Sequence, residues 1–136
     1  MATDLARIAI ATHNDIVMAR KTGRDMAAAY GFPAIDCAQI ATVISELARN
    51  IFLYAGTGRI EIRLRADFAP RRGIEIVATD EGPGIPDLEL AMRDGYSTSQ
   101  GLGLGLPGSR RLMDDFEIHS EVGIGTVVRA CKWLRR

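Results

Sequence analysis

The chain has 136 residues, 47% of them hydrophobic and 25% charged, with 17 basic and 17 acidic side chains and a formal net charge of +0. These values suit one globular domain over residues 1–136 with one sizeable core, and the charge balance argues against a broad electrostatic grip on nucleic acid or an anionic membrane, leaving room only for a local basic patch. No apolar run approaches the roughly 20 residues needed to cross a bilayer, and Asp4 and Arg7 interrupt the opening stretch, so neither a span nor a secretory signal is expected and the location is read as cytoplasmic.

In chain order, "LARIAIAT" alternates as a strand does, and "HNDIVMARKTGRDMAAAYG" reads as a helix capped by Asn14 or Asp15 and stopped at Gly31. "DCAQIATVISELARNIFLYAG" is the strongest helix, with Asp36 as its cap. Ile40, Val43, Ile44, Leu47 and Ile51 recur at helical spacing, and Gly56 closes it. "RIEIRLRADF" and "IEIVATD" are strands joined by a turn at "PRRG". Residues 87–100 are polar and mixed, with room for one short helix. "LGLPGSRRLMD" opens a helix at its glycines, and "FEIHSEV", a turn at "GIG" and "TVVRACKWL" form a terminal hairpin. The order β-α-α-β-β-loop-α-β-β implies an α+β two-layer sandwich: a mixed, largely antiparallel sheet covered on one face by helices. Cys37 and Cys131 lie far apart with no CxxC partner and read as buried thiols. His13 and His119 show no metal spacing.

Chemistry concentrates in four places. The stretch "TSQGLGLGLPGSRRL" fits G-x-G-x-x-G at Gly103, Gly105 and Gly108, but a polar segment precedes it where a dinucleotide fold needs a buried strand. A P-loop is excluded, because no G-K-[ST] occurs and no lysine stands between Lys21 and Lys132. Glycines opening a helix can still cradle phosphate on exposed N–H groups. "DEGPGI" follows a strand, so Asp80 could accept a hydrogen bond from an exocyclic amino group while Gly82 and Gly84 leave room for a flat base; taken singly, it is equally a strand-ending turn. Glu46 and Asn50 are four apart, on one face of the long helix, where they suit a divalent ion and a reacting hydroxyl, or simply a solvated polar pair. Thr126, after "GIG", could turn its hydroxyl toward Asp80.

Taken in order, E-x-x-x-N on a helix, D-x-G-x-G-I after a strand, a polar segment, G-x-G-x-G-L opening a helix and G-x-G-T resemble the Bergerat-type ATP-binding fold (the GHKL family) of gyrase, Hsp90, histidine kinases and MutL. The resemblance implies that Asn50 holds Mg²⁺ and that Glu46 is the general base or orients the attacking group. Asp80, with Gly82, Gly84, Ile85 and Thr126, would take the adenine of ATP. Gly101, Gly103 and Gly105, with Leu102 and Leu104 between them, would cradle its phosphates under a lid spanning about 87–100.

Within that family, neither a transducer domain nor a hairpin with a phosphoacceptor histidine is expected from these 136 residues. "ISELARNI", "DGYSTS", "GLGLGLPGSRRLMDDFEI" and "GTVV" are similar to the serine/threonine switch-protein kinases of bacterial partner-switching, or stressosome, systems. This implies phosphorylation of a serine on a small STAS-domain antagonist, with a stressosome scaffold and a downstream phosphatase as further partners. The alternatives are an anti-sigma factor kinase that also binds a sigma factor directly, and a non-catalytic, ATP-gated binding module. Arg49 is expected in a surface salt bridge, with a role at the γ-phosphate or the partner as the alternative, and Arg110 and Arg111 on a solvated face, with a phosphate role as the alternative.

Overall fold

The computed structural model describes residues 4–68, 71–93 and 105–135. Five strands, β1 (Leu5–Ile10), β2 (Gly58–Phe68), β3 (Arg71–Asp80), β4 (Asp115–Glu121) and β5 (Gly125–Trp133), form one sheet in the order β1-β2-β3-β5-β4. The helices are α1 (His13–Tyr30), α2 (Ala34–Asn50), the short α3 (Leu88–Ala91) and α4 (Leu106–Leu112). The expected α+β fold and its element order are present, with one correction. The sheet is not mixed: every pairing among the described strands is antiparallel. Two helices, rather than one, separate β1 from β2, so the chain re-enters the sheet reversed. The other neighbours in sequence are hairpins.

Each helix end has a local cause. Thr12, not Asn14 or Asp15, caps α1, by the reciprocal arrangement in which Thr12 Oγ1 accepts from Asp15 N–H at 3.2 Å and Asp15 Oδ2 accepts from Thr12 N–H at 2.9 Å. The Ala11 N–H, then the Thr12 groups, hold the Asp15 carboxyl below its ordinary value. Gly31 ends α1 at φ 109°, the left-handed stop the sequence promised. Asp36 is not the cap of α2. Pro33 occupies that position with no side-chain bond, and Asp36 falls in the first turn, where a carboxylate suits the positive helix end. After Asn50 the helix widens into a π-helical turn, Ile51–Ala55, closed by Gly56 N–H donating to the Ile51 carbonyl at 2.9 Å.

The core lies between the helices and one sheet face. The predicted stripe of α2 is buried throughout, with Ile40, Val43 and Ile44 fully inaccessible, and it meets Ile60, Ile62, Ile74 and Ile76 of the sheet. Gly23 of α1 is required by this approach, because a Cβ there would collide with Ile44 Cδ1. The "PRRG" turn is narrower than expected: Arg71 and Gly73 already belong to β3, and Trp133 lies so close over Gly73 that a Cβ would sit 2.6 Å from its ring. Residues 69 and 70 are outside the described residues. Both cysteines are buried, as expected, and burial pushes the Cys131 thiol up to about 11. Among the described residues no helix is long and apolar enough to cross a membrane, and no cluster of His, Cys, Asp and Glu suits a metal ion.

Candidate nucleotide site

Strand register builds the site before any motif is invoked. At one end of the sheet, a single cross-strand row runs Ile10, Gly58, Asp80, Thr126, Ser120 through all five strands. Side chains alternate between faces, so this row shares the helix-covered face with Ile60, Ala78, Val128 and Ile118 one row further in. The inner rows are apolar, whereas the terminal row, after Ile10 at its edge, is small or polar. Gly58 belongs there because a Cβ would sit 2.7 Å from Ile51 Cγ2 and 2.5 Å from the Thr79 carbonyl.

Above this row is a cavity of about 390 Å³, within the range of small-molecule sites. Asp80 and Thr126 lie at its sheet side, and Asn50, the last residue of α2, stands on the helix side. Leu47, Ile51, Ala78, Ile85, Leu106 and Val128 supply an apolar wall. Leu47 and Ile51, expected only as core, therefore serve both packing and the cavity. Asp80 Oδ1 accepts from Gly82 N–H at 2.9 Å, which fixes the carboxylate at the start of the loop.

That loop is tied closely to the β4–β5 turn. Gly84, at φ 79°, passes so near the turn that a Cβ would stand 2.5 Å from the Glu121 carbonyl, and at Gly125, φ 148°, a Cβ would collide with the Asp80 carbonyl. Gly123 N–H donates to the Pro83 carbonyl at 2.9 Å. Ser120 Oγ accepts from Ile85 N–H at 2.8 Å and lies 2.8 Å from Thr126 Oγ1. Gly82 packs against Ala55 of the π-helical turn, outside the cavity lining.

The predicted residues thus gather unevenly. Asn50, Asp80, Gly84, Ile85 and Thr126 share one cavity. Glu46 stands beside it: its carboxylate accepts from Arg49 Nη1 at 2.8 Å, the salt bridge expected of Arg49, and it abuts Gly105 at the start of α4. Gly101, Leu102, Gly103 and Leu104, and the lid from 94 to 100, lie outside the described residues. Of the lid's described part, α3 is capped by Asp87, whose Oδ1 accepts from Leu90 N–H at 3.0 Å. Arg110 and Arg111 are exposed in the last turn of α4.

Sequence reasoning passed over Ser120. The signal was present: in "FEIHSEV", Phe116 and Ile118 set the inward phase, and Ser120 is a hydroxyl in that same phase.

The site is thus a polar row under an apolar-walled cavity at one end of a helix-covered antiparallel sheet. The profile described as "Histidine kinase-, DNA gyrase B-, and HSP90-like ATPase" matches residues 35–136. The chain belongs to this ATPase family. It is 54% identical over 132 residues to the serine/threonine-protein kinase RsbT of Bacillus subtilis, covering 97% of this chain and 98% of that one. By that relationship the ATPase-family chain is an enzyme of the serine/threonine-protein kinase type. It is 34% identical to an anti-sigma F factor of Caldanaerobacter subterraneus over 74% of this chain and 73% of the other. Among solved structures, the RsbU and RsbW domains of a Mycobacterium tuberculosis protein align with a TM-score of 0.70 at 19% identity, covering 98% of this chain and 34% of that one. The catalytic domain of the histidine kinase ThkA aligns at 0.51 and 16% identity, over 93% and 95%. At those identities the structures establish the shared fold.

Proposed function

We propose that this chain, acting as one cytoplasmic kinase domain, binds ATP and Mg²⁺ and phosphorylates a serine on a small STAS-domain antagonist in a partner-switching pathway. The observation that carries this reading is the placement of Asp80 and Thr126 on paired strands under an apolar-walled cavity, with Asn50 on its helix side. The donor set fits the nucleotide. A carboxylate that only accepts, beside a hydroxyl, suits the polar edge of an adenine, and Ile51, Ile85 and Val128 suit its faces.

When bound, ATP supplies the γ-phosphoryl group and Mg²⁺ neutralises its charge. Asn50 would hold the metal through its amide oxygen. Asp80 and Thr126 fix the base, so that binding energy far from the reacting centre goes into orientation. Glu46, one helical turn before Asn50, orients the acceptor serine hydroxyl or takes its proton. Arg49 keeps the Glu46 carboxylate in place through their 2.8 Å bond. The segment Gly101–Gly105 is assigned to the phosphates on motif alone.

The deciding experiment is incubation with γ-labelled ATP, Mg²⁺ and a candidate STAS-domain protein. Label on a serine of that protein supports the reading. ATP binding without transfer to any STAS protein supports a binding module instead. A second reading rests on the 34% match to an anti-sigma F factor: this chain would also hold a sigma factor directly. Co-purification with sigma factor in the presence of ATP separates the two.

A further inference from the structure

Among the described residues seven large apolar side chains are exposed, and six of them lie on three segments that meet at the cavity end of the molecule. Val17 and Met18 stand in the first two turns of α1, and Leu53 and Tyr54 on the π-helical turn. Val122 and Ile124, 64% and 61% exposed, form the tip of the β4–β5 turn. Contacts between segments join them into one surface. The His13 ring packs on Phe52 with centroids 4.6 Å apart, and Val17 follows His13 one turn on, along the same helix face. Gly82 lies against Ala55, and Gly123 N–H donates to the Pro83 carbonyl at 2.9 Å, so the first-glycine loop bridges the π-helical turn and the hairpin tip. Of the six side chains only Tyr54 lines the cavity. Single exposed apolar residues are ordinary, whereas a contiguous group marks a place where something binds.

We infer that this surface docks a protein partner through a basic amphipathic segment, whose apolar side chains cover the patch and whose lysines or arginines meet its rim. The charge pattern selects that occupant. Residues 11–19, 51–58, 80–87 and 120–126 build the surface, and they contain no lysine or arginine although the chain carries 17. They do contain Asp15, Asp80, Glu81, Asp87 and Glu121. Asp15 is engaged in the α1 cap, Asp87 in the α3 cap, and Asp80 faces the cavity. Glu81 and Glu121 are exposed, and neither is in a salt bridge among the described residues. Arg59, next to Gly58, belongs to the opposite sheet face and lies 3.7 Å from Glu61.

Two other occupants fit worse. A second copy of this chain would pair the patch with itself across a two-fold axis and set acidic rim against acidic rim. An anionic membrane would be repelled by the same carboxylates. A basic amphipathic segment gains both apolar burial and charge attraction, and its binding weakens as salt screens the rim. The inference is independent of the nucleotide reading, because its anchors, Val122 and Ile124, and its rim acids, Glu81 and Glu121, have no part in holding ATP.

The test titrates a short amphipathic helical peptide of leucine and lysine into the ¹⁵N-labelled full-length chain, followed by calorimetry and amide spectra. One control peptide carries glutamate in place of lysine, and another spreads the leucines round the helix. The chains are wild type, Val122→Ser with Ile124→Ser, and Glu81→Gln with Glu121→Gln. Wild type should bind the leucine–lysine peptide at least about tenfold more tightly than either control, and each double variant should lose about tenfold. Amide shifts should concentrate on residues 51–55, 81–83 and 121–124. Undiminished binding in a folded Val122→Ser, Ile124→Ser chain, equal binding of the glutamate peptide, or shifts elsewhere would overturn the inference. If a variant does not fold, the wild-type shifts and the peptide comparison decide. A wild-type dimer in sedimentation that Val122→Ser with Ile124→Ser abolishes would assign the patch to a second copy and overturn it. Binding to phosphatidylglycerol vesicles that the same variant loses would assign it to a membrane, with the same consequence.

Discussion

The two ends of the inner sheet face use the same scaffold for opposite purposes. At one end Ile62, Ile76 and Ala130 stand in register, fully buried against α1 and α2. At the other end, Gly58, Asp80, Thr126 and Ser120 stand in register, with Asp80 and Thr126 lining the cavity. The first end fills its volume with branched side chains and contributes stability in proportion to the area removed from water. The second leaves volume empty and satisfies its polar groups by bonds to one another and to the adjoining loop. Stability and recognition are thus separated along one face by four residues of strand, Ile76 to Asp80. Substitutions should sort accordingly.

The largest effect is expected beside the polar end. Glu46→Gln should lower phosphotransfer by about 10²–10⁴-fold, the usual contribution of a positioned general base. ATP affinity, measured by titration calorimetry, should be unchanged, because Glu46 stands outside the cavity. Unchanged transfer would reduce Glu46 to a salt-bridge partner of Arg49. At the apolar end Ile76→Ala should cost about 2–5 kcal/mol in urea unfolding, and the chain that remains folded should bind ATP as wild type does.

Smaller effects lie further from both. Thr12→Ala removes the α1 cap and should cost about 1 kcal/mol, with no change in transfer. It also bears on pH. The Asp15 carboxyl titrates lower in the folded chain than its ordinary 3.8, so its contribution is complete at neutral pH and is lost as pH falls from that value through the depressed one. In acid unfolding profiles, stability should therefore fall over that range in both wild type and Thr12→Ala, because the variant keeps the backbone donors to the Asp15 carboxylate. Smallest of all, Ser45→Ala should be neutral or stabilising by up to about 1 kcal/mol. Ser45 Oγ is buried on α2 with no hydrogen-bond partner among the described residues, and the alanine removes an unsatisfied group.

Much of this contrast was legible in the sequence. The helical stripe of α2, the Gly31 stop and the strand alternation fixed the core, because each is a periodic or single-residue signal. The motif order picked out Asn50, Asp80 and Thr126, which do share a cavity. What escaped depends on contacts between distant segments. Thr12 precedes its helix inside what reads as a strand ending, so the apparent cap moved to Asn14 or Asp15. Pro33 displaced Asp36 because a proline fixes the extended turn that starts α2 without any side-chain bond. The antiparallel pairing of β1 with β2 did not follow from the element order, which listed both intervening helices but not the strand direction they return. Ser120 became visible only once register set it beside Thr126. The double use of Leu47 and Ile51 needed the cavity itself.

The central claim is that the polar row is the base-binding end of a nucleotide site. The most direct measurement is calorimetric titration of ATP with Mg²⁺ into Asp80→Asn, alongside its thermal unfolding. The account predicts an unfolding midpoint close to wild type, since Asp80 packs no core volume, and ATP affinity lower by on the order of tenfold to a hundredfold, the worth of a hydrogen bond to a charged group. Wild-type affinity in a folded Asp80→Asn would contradict it.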